Sequence, residues 1–413
     1  MNAEGDDSSV YGVESAYAWR RLATALAFST IGGVGLWSMM VALPAIQAEF
    51  AVDRGNASLP FTSVMLGFGV GGIVLGRLAD RVGIALPLML GTLALGLGYI
   101  AAGLSANLWQ VALAHGLLIG FGASVSFGPL MADISYWFTR RRGIAVTISA
   151  AGNYTAGAFW PPVMQHFMAA DGWRLTHIGI GIFCLATMLP LALALRRRLP
   201  GGHATSAGAA ALRPRAAMPV SPLALQVLLC IAGVACCVAM SMPQVHIVAY
   251  CGDLGYGVAR GAEMLSLMLA FGIISRVGSG FVADRIGGVP TLLAGSLLQG
   301  VALLLYMMFD GLFSLYVISA LFGLFQGGIV PMYAVIIREY FSPREAGMRV
   351  GLVVMATVIG MAGGGWLSGV IFDYSGSYQA AFLNGLIWNL LNVSVMLLLL
   401  LRSRRAPALA TGV

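Results

Sequence analysis

Arg276 is a fixed cation inside an apolar run, Met264–Ala283 (MLSLMLAFGIISRVGSGFVA). A guanidinium keeps its charge in a protein. At such depth in a membrane segment a charge is costly and by default faces a cavity on a substrate or ion path. Its chemistry is recognition of a small anion, most simply one carboxylate gripped by two parallel N–H bonds. His246 lies in a second apolar run, Ser241–Tyr250. There an imidazole can donate to a carboxylate when neutral and carry a proton when charged, or it can simply pack near the outer surface. Asn153, Tyr154, Gln326 and Tyr333 are the other uncharged polar residues of interest within apolar runs. Each can hydrogen-bond a substrate or tie helices together, and at least two of the four are expected to line the cavity. Asp133 is the best candidate for a protonatable carboxylate. An ion pair with Arg140–Arg142 at the cytosolic rim is its simpler role, and Glu339 beside Arg338 reads the same way. His115 reads as packing.

Other chemistry is not signalled. The five cysteines show no paired or zinc-type spacing and read as small packing residues. Neither HExxH nor GxxxxGK[ST] occurs, so no cofactor or metal is expected, an intramembrane enzyme is disfavoured, and transport would be secondary rather than ATP-driven. A receptor or transceptor is the alternative outside transport.

The elements that must position these residues are membrane helices. The chain is 59% hydrophobic and 9% charged, against about 25% charged in soluble domains, and its mean hydropathy is +0.87. A crossing helix needs about 20 apolar residues. Twelve runs qualify: about 22–46, 60–79, 85–104, 109–138, 143–168, 174–195, 222–250, 262–283, 289–309, 312–340, 348–372 and 378–401. The expected organisation is a cytosolic tail (1–19), a six-helix bundle (20–195), a cytosolic linker (196–221), a second six-helix bundle (222–402) and a cytosolic tail (403–413). The tail before the first run has no signal-peptide pattern.

All 23 basic residues are arginine, and 19 of them fall on one side of such a twelve-span thread. Only Arg54, Arg174 and Arg260 fall on the other, and Arg276 alone is left within a span. The arginine-rich side is cytosolic, with both termini inside. The net charge of +7 therefore reflects topology, not a nucleic-acid partner.

The two halves repeat each other. Residues 65–83 (MLGFGVGGIVLGRLADRVG) parallel 268–287 (MLAFGIISRVGSGFVADRIG), so Gly76, Asp80, Arg81 and Gly83 answer to Gly280, Asp284, Arg285 and Gly287. Parallel repeats of this kind build transporters with the substrate at the interface of the halves. The GxxxDRxG strings, the twelve runs and the repeat resemble the major facilitator superfamily across residues 20 to 402. The resemblance implies that Gly76, Asp80, Arg81, Gly280, Asp284 and Arg285 form a cytoplasmic gate. Its glycines would allow close packing and a tight turn, and its aspartates would face helix N-termini. The basic pair that usually ends the motif is missing, since Ile84 and Ala85 follow Gly83.

Within that superfamily the chain resembles the monocarboxylate transporter and oxalate:formate antiporter group. The likeness lies in Glu49-Phe50-Ala51-Val52 with Ala57-Ser58-Leu59-Pro60, in the stretch from Trp137 to Ala145 with Ala151-Gly152, and in Arg276 at the position of a carboxylate-binding arginine. Phe127 stands where the relatives often place a tyrosine, and it would line the pocket without donating a hydrogen bond. No second cation occurs in 350–371, and Gly272 stands where proton-coupled relatives have an aspartate. These features imply one carboxylate rather than two. They point to a lactate- or pyruvate-like anion carried by alternating access and coupled to protons through His246 or Asp133. Anion exchange and multidrug-type export are the alternatives. The partners expected are the carboxylate, protons and the lipid of a bacterial inner membrane, with the chain a monomer.

Overall fold

The computed structural model describes residues 12–197 and 219–405. Most of the expected linker, and the far ends of both tails, lie outside them. All regular elements among the described residues are helical. Eleven are long and apolar enough to cross a membrane. In chain order α1 is Ala16–Phe50, α3 Ala85–Gly103, α4 Leu108–Trp137, α5 Arg142–Ala194, α6 Pro222–Asp253, α7 Val258–Ile286, α8 Gly288–Met308, α9 Leu312–Tyr340, α10 Glu345–Ser375 and α11 Tyr378–Ser403. The second span begins with a single turn, Arg54–Ala57, and continues as α2, Leu59–Val82.

The count is eleven rather than twelve because the runs 143–168 and 174–195 share one helix. At 53 residues α5 is long enough for two crossings. Its single non-helical residue is Gly172, with φ 78° and ψ 164°. Only glycine enters that φ without strain, so the break falls between the two expected runs, and all twelve are helical.

The chain folds as two compact units, Met1–Val52 with Ala57–Gly208, and Asp53–Asn56 with Ala209–Val413. In the first, α2 meets α4 backbone to backbone, since a methyl on Gly67 would collide with the carbonyl of Gly116. In the second, α7 meets α9 the same way, through Gly323 against the carbonyl of Met268. Small residues that let helices approach this closely are the usual adhesive where lipid removes the hydrophobic drive. Large apolar side chains such as Trp109, Leu117, Leu223 and Phe313 are exposed, as lipid-facing positions require.

Helix ends follow their local chemistry. Asn107 accepts from the N–H of Gln110 (3.0 Å) to start α4, and Ser221 accepts from Ala224 (3.2 Å) to start α6. Gly83 and Gly287 end α2 and α7 at φ 87° and 91°, the tight turns expected of the repeated motif. Gly76 and Gly280 do not serve close packing, because a methyl at either position would meet nothing within 4 Å.

Candidate functional site

In the second unit, α9 is broken. Its helical turns stop at Gln326 and resume at Ile329, leaving Gly327 and Gly328 between two half-helices. Ser275 of α7 accepts from the freed N–H of Gly328 at 3.0 Å. Arg276, the next residue, donates from Nε to the carbonyl of Gly327 at 3.4 Å. The cation thus sits at the negative end of the first half-helix, where the helix dipole favours it. The second half-helix begins beside it at Ile329, its first N–H, that of Gly328, already taken by Ser275. Half-helix ends inside a membrane are suited to bind ions. Gln326 is fully buried at the same break, and neither its Oε1 nor its Nε2 has a hydrogen-bond partner. A buried amide left in that condition costs about 1–3 kcal/mol, which suits a site built for something other than stability.

Arg276 is not the buried arginine of the chain, as its sequence position suggests. It is half-buried, whereas Arg21 and Arg54 are only 2% and 8% exposed. Hydropathy marks depth in the membrane but not which side of the helix a residue occupies.

His246 stands elsewhere in the second unit, wholly buried. Its Nε2 faces the carbonyl of Gly365 at 2.8 Å and its Nδ1 the hydroxyl of Tyr378 at 3.2 Å, so both ring nitrogens are already committed to neighbouring helices. Tyr378 also accepts from Nη1 of Arg54 (2.8 Å). Arg54 is paired with Asp253, and its guanidinium lies 4.3 Å from the ring centre of Phe372. Asp373 accepts from the backbone N–H groups of Arg54 (2.8 Å) and Gly55 (2.7 Å). Sequence reasoning missed this cluster. The available signal was that the arginine count places Arg54 on the same membrane face as Asp253 and Asp373. Tyr333 turns to α11, donating to Asn392 at 3.4 Å, and so ties helices together.

In the first unit, α4 is irregular throughout its middle. A π-helical turn spans Ala114–Gly120 and a 3-10 turn Ser124–Ser126. Phe127 then leaves helical geometry (φ −120°, ψ −90°) before the helix restarts at Gly128. Pro129 in the first turn lacks the N–H needed to continue the preceding helix. Phe127 is half-buried, its ring 6.2 Å from that of Phe68. Asn153 and Tyr154 are buried against Trp37, whose Nε1 donates to the carbonyl of Asn153 at 2.9 Å and whose ring meets Tyr154 edge-on at 6.2 Å. The side chain of Asp133 pairs with Arg21 (2.8 Å), not with Arg140–Arg142, and the Arg21 guanidinium lies over Trp137 at 4.7 Å. Asp133 therefore closes a rim ion pair with a different partner from the one expected.

The signature residues are not joined to one another. Asp80, Arg81, Asp284 and Arg285 are exposed, and among the described residues no hydrogen bond or ion pair engages them. The carboxylate at a helix N-terminus is instead Glu339, which accepts from the N–H of Gly288 at 3.1 and 3.2 Å. This replaces the expected pairing of Glu339 with Arg338.

Comparison with known proteins gives the same architecture. The family model of the Major Facilitator Superfamily matches residues 25–293 and 264–412. Monocarboxylate transporter 13 of Rattus norvegicus is 26% identical over 366 residues, 87% of this chain and 82% of the relative. The Agnestins efflux protein of Paecilomyces divaricatus is 24% identical over 85% of this chain and 80% of its own length. Among solved structures, a bacterial homolog to the human lysosomal transporter Spinster superposes with a TM-score of 0.73 at 14% identity, covering 95% of this chain and 98% of that one. The nucleoside transporter NupG gives 0.69 at 14% identity, covering 93% and 99%. These relatives and neighbours are transporters, not enzymes. The chain is a multi-pass membrane protein and belongs to the major facilitator superfamily.

Proposed function

We propose that the chain is a secondary carrier for a small monocarboxylate, with Arg276 as the group that receives the carboxylate. The observation that carries this reading is the seat of Arg276 on the broken end of α9, beside an unpartnered, buried Gln326. A guanidinium has five N–H donors, so one oriented by a backbone carbonyl can also grip an incoming anion. The Gln326 amide adds a neutral donor, which suits one negative charge better than two. The similarity to monocarboxylate transporter 13 supports the same substrate class. On this reading the carrier lies in a bacterial inner membrane as a monomer with both termini cytosolic, as the arginine distribution indicates. Proton symport and anion exchange both fit, and His246 is the titratable group proposed for coupling. Export is the second reading, favoured by the similarity to a fungal efflux protein.

Uptake into proteoliposomes tests this. Wild-type protein should take up labelled lactate or pyruvate, and monoacids should compete better than oxalate or succinate. Arg276→Ala and Arg276→Lys should both lose uptake while reaching the membrane, because an ammonium lacks the planar fork. Full uptake by Arg276→Ala would overturn the assignment of Arg276. Preferential competition by dicarboxylates would overturn the substrate class.

A further inference from the structure

One peptide unit of α9 is held at both ends by two consecutive residues of α7. Oγ of Ser275 accepts from the N–H of Gly328 at 3.0 Å, and Nε of Arg276 donates to the carbonyl of Gly327 at 3.4 Å. That N–H and that carbonyl belong to the same peptide bond. In a trans peptide they point in opposite directions, so the plane cannot rotate without losing both contacts. The two contacts are unequal. The arginine bond, at 3.4 Å, exceeds the usual range of about 2.7–3.2 Å, and the serine bond lies inside it. Ser275 therefore fixes the peptide plane, and Arg276 rests on the carbonyl that the plane presents.

The two glycines at the break serve this contact and not a turn. Gly327 (φ −60°, ψ −29°) and Gly328 (φ −86°, ψ −12°) both have right-handed geometry, which side-chain-bearing residues also adopt. What excludes a side chain is α7. A methyl on Gly327 would collide with the backbone of Gly272, and one on Gly328 with the side chain of Ser279. Gly272, Ser275 and Ser279 recur at steps of three and four residues, so they form one stripe of α7. Ser275 is buried in that stripe, and Arg276 stands at its edge, half-buried. The hydroxyl of Ser279 donates to the carbonyl of Arg276 at 3.1 Å and is thus engaged within α7. Ser275 is the serine that reaches across to the broken helix.

We propose that Ser275 is a positioning residue for the anion site: by holding the Gly327–Gly328 peptide it aims the Gly327 carbonyl at Arg276 and orders the guanidinium before the carboxylate arrives. This role rests on the assignment of Arg276 as the carboxylate-binding group. Arginine has a long side chain with many rotamers, and fixing it during binding lowers affinity. A two-pronged grip on a carboxylate is also directional. With Ser275 in place, both requirements are met by the fold. Without its hydroxyl the Gly328 N–H loses its acceptor inside a buried contact, the plane can turn, and the carbonyl is no longer aimed at Nε. The loss falls on substrate affinity and not on the transport step.

The test compares wild type, Ser275→Ala and Ser275→Thr in proteoliposomes with labelled lactate. Ser275→Ala should raise the half-saturating concentration about two- to tenfold, the equivalent of one hydrogen bond, with little change in maximal rate. Ser275→Thr keeps the hydroxyl and should restore the wild-type value. A half-saturating concentration unchanged in Ser275→Ala, or a loss confined to maximal rate, would overturn the proposal. Arg276→Ala separates the two assignments. Full uptake by Arg276→Ala removes the carboxylate reading itself, whereas lost uptake there with wild-type affinity in Ser275→Ala removes only the positioning role. A second measurement needs no substrate. Hydrogen exchange at the Gly328 amide should be faster in Ser275→Ala than in wild type or Ser275→Thr, and equal exchange in all three would show that the serine does not hold the peptide.

Discussion

Tyr378 donates its hydroxyl hydrogen to Nδ1 of His246 across 3.2 Å. The direction follows from the rest of the ring, because Nε2 faces the Gly365 carbonyl at 2.8 Å and must hold the imidazole proton. The same hydroxyl oxygen accepts from Arg54 at 2.8 Å. A proton added at Nδ1 would turn an acceptor into a donor and would place a second positive charge close to Arg54. The chain Arg54–Tyr378–His246 thus runs in one hydrogen-bond direction, from guanidinium to hydroxyl to imidazole. Replacing Tyr378 by Phe should leave Nδ1 without its donor and Arg54 without one acceptor. The expected cost is about 1–3 kcal/mol, read as a lower thermal midpoint in detergent. An unchanged midpoint would show that the hydroxyl contributes nothing.

Arg54 holds several partners at once: Asp253, Tyr378 and the ring of Phe372. Removing one member of a buried pair leaves the other charge uncompensated, at about 3–5 kcal/mol. The Asp253 side chain is 38% exposed, so hydration brings the expected loss for Arg54→Ala down to about 2–3 kcal/mol. Arg54→Lys keeps the charge but cannot serve a carboxylate bidentately while stacking on an aromatic ring. It should recover less than half of the lost stability. Full recovery by lysine would mean that charge alone matters there.

This cluster also marks where the sequence stops being informative. Local backbone chemistry is legible: Gly83 and Gly287 take the positive φ that the repeated motif implies, and the apolar runs are helices. Which surface a residue serves is not. Gly76 and Gly280 share the motif with those turn glycines yet touch nothing within 4 Å, because spacing along one helix does not say what stands opposite. Arg54 reads as a surface arginine in a short outer loop, and its burial depends on Asp253, Phe372, Asp373 and Tyr378, all about 200 residues or more away. The break in α9 is foreshadowed by Gly327-Gly328, but the pairing of Arg276 with the Gly327 carbonyl needs the packing of α7 against α9.

Gln326 offers a way to separate stability from function. Its side-chain amide is fully buried without a partner, so Gln326→Leu or Gln326→Met should stabilise the protein by about 1–2 kcal/mol. If the amide serves an incoming carboxylate beside Arg276, the same variants should raise the half-saturating substrate concentration several-fold. A gain in thermal midpoint with unchanged uptake would leave Gln326 as an uncompensated packing defect and remove it from the site.

Glu14 gives a pH dependence outside the membrane. Its Oε1 accepts from the backbone N–H of Arg141 at 2.8 Å, and its own N–H donates to the carbonyl of Trp137 at 3.0 Å. The Arg141 N–H draws the Glu14 carboxyl below its usual value of 4.5, against a smaller opposing effect of burial. A depressed carboxylate pKa means that the contribution to folding is fully present above the usual value and is lost as pH falls through the lowered one. The Arg141 amide should therefore be protected from hydrogen exchange near neutral pH and lose that protection in acid, below the ordinary carboxylate range. Glu14→Gln retains an acceptor oxygen but no charge, so it should show weaker protection with no such pH step. Glu14→Ala should show none at any pH. A step of wild-type size in Glu14→Gln would assign the transition to another carboxylate.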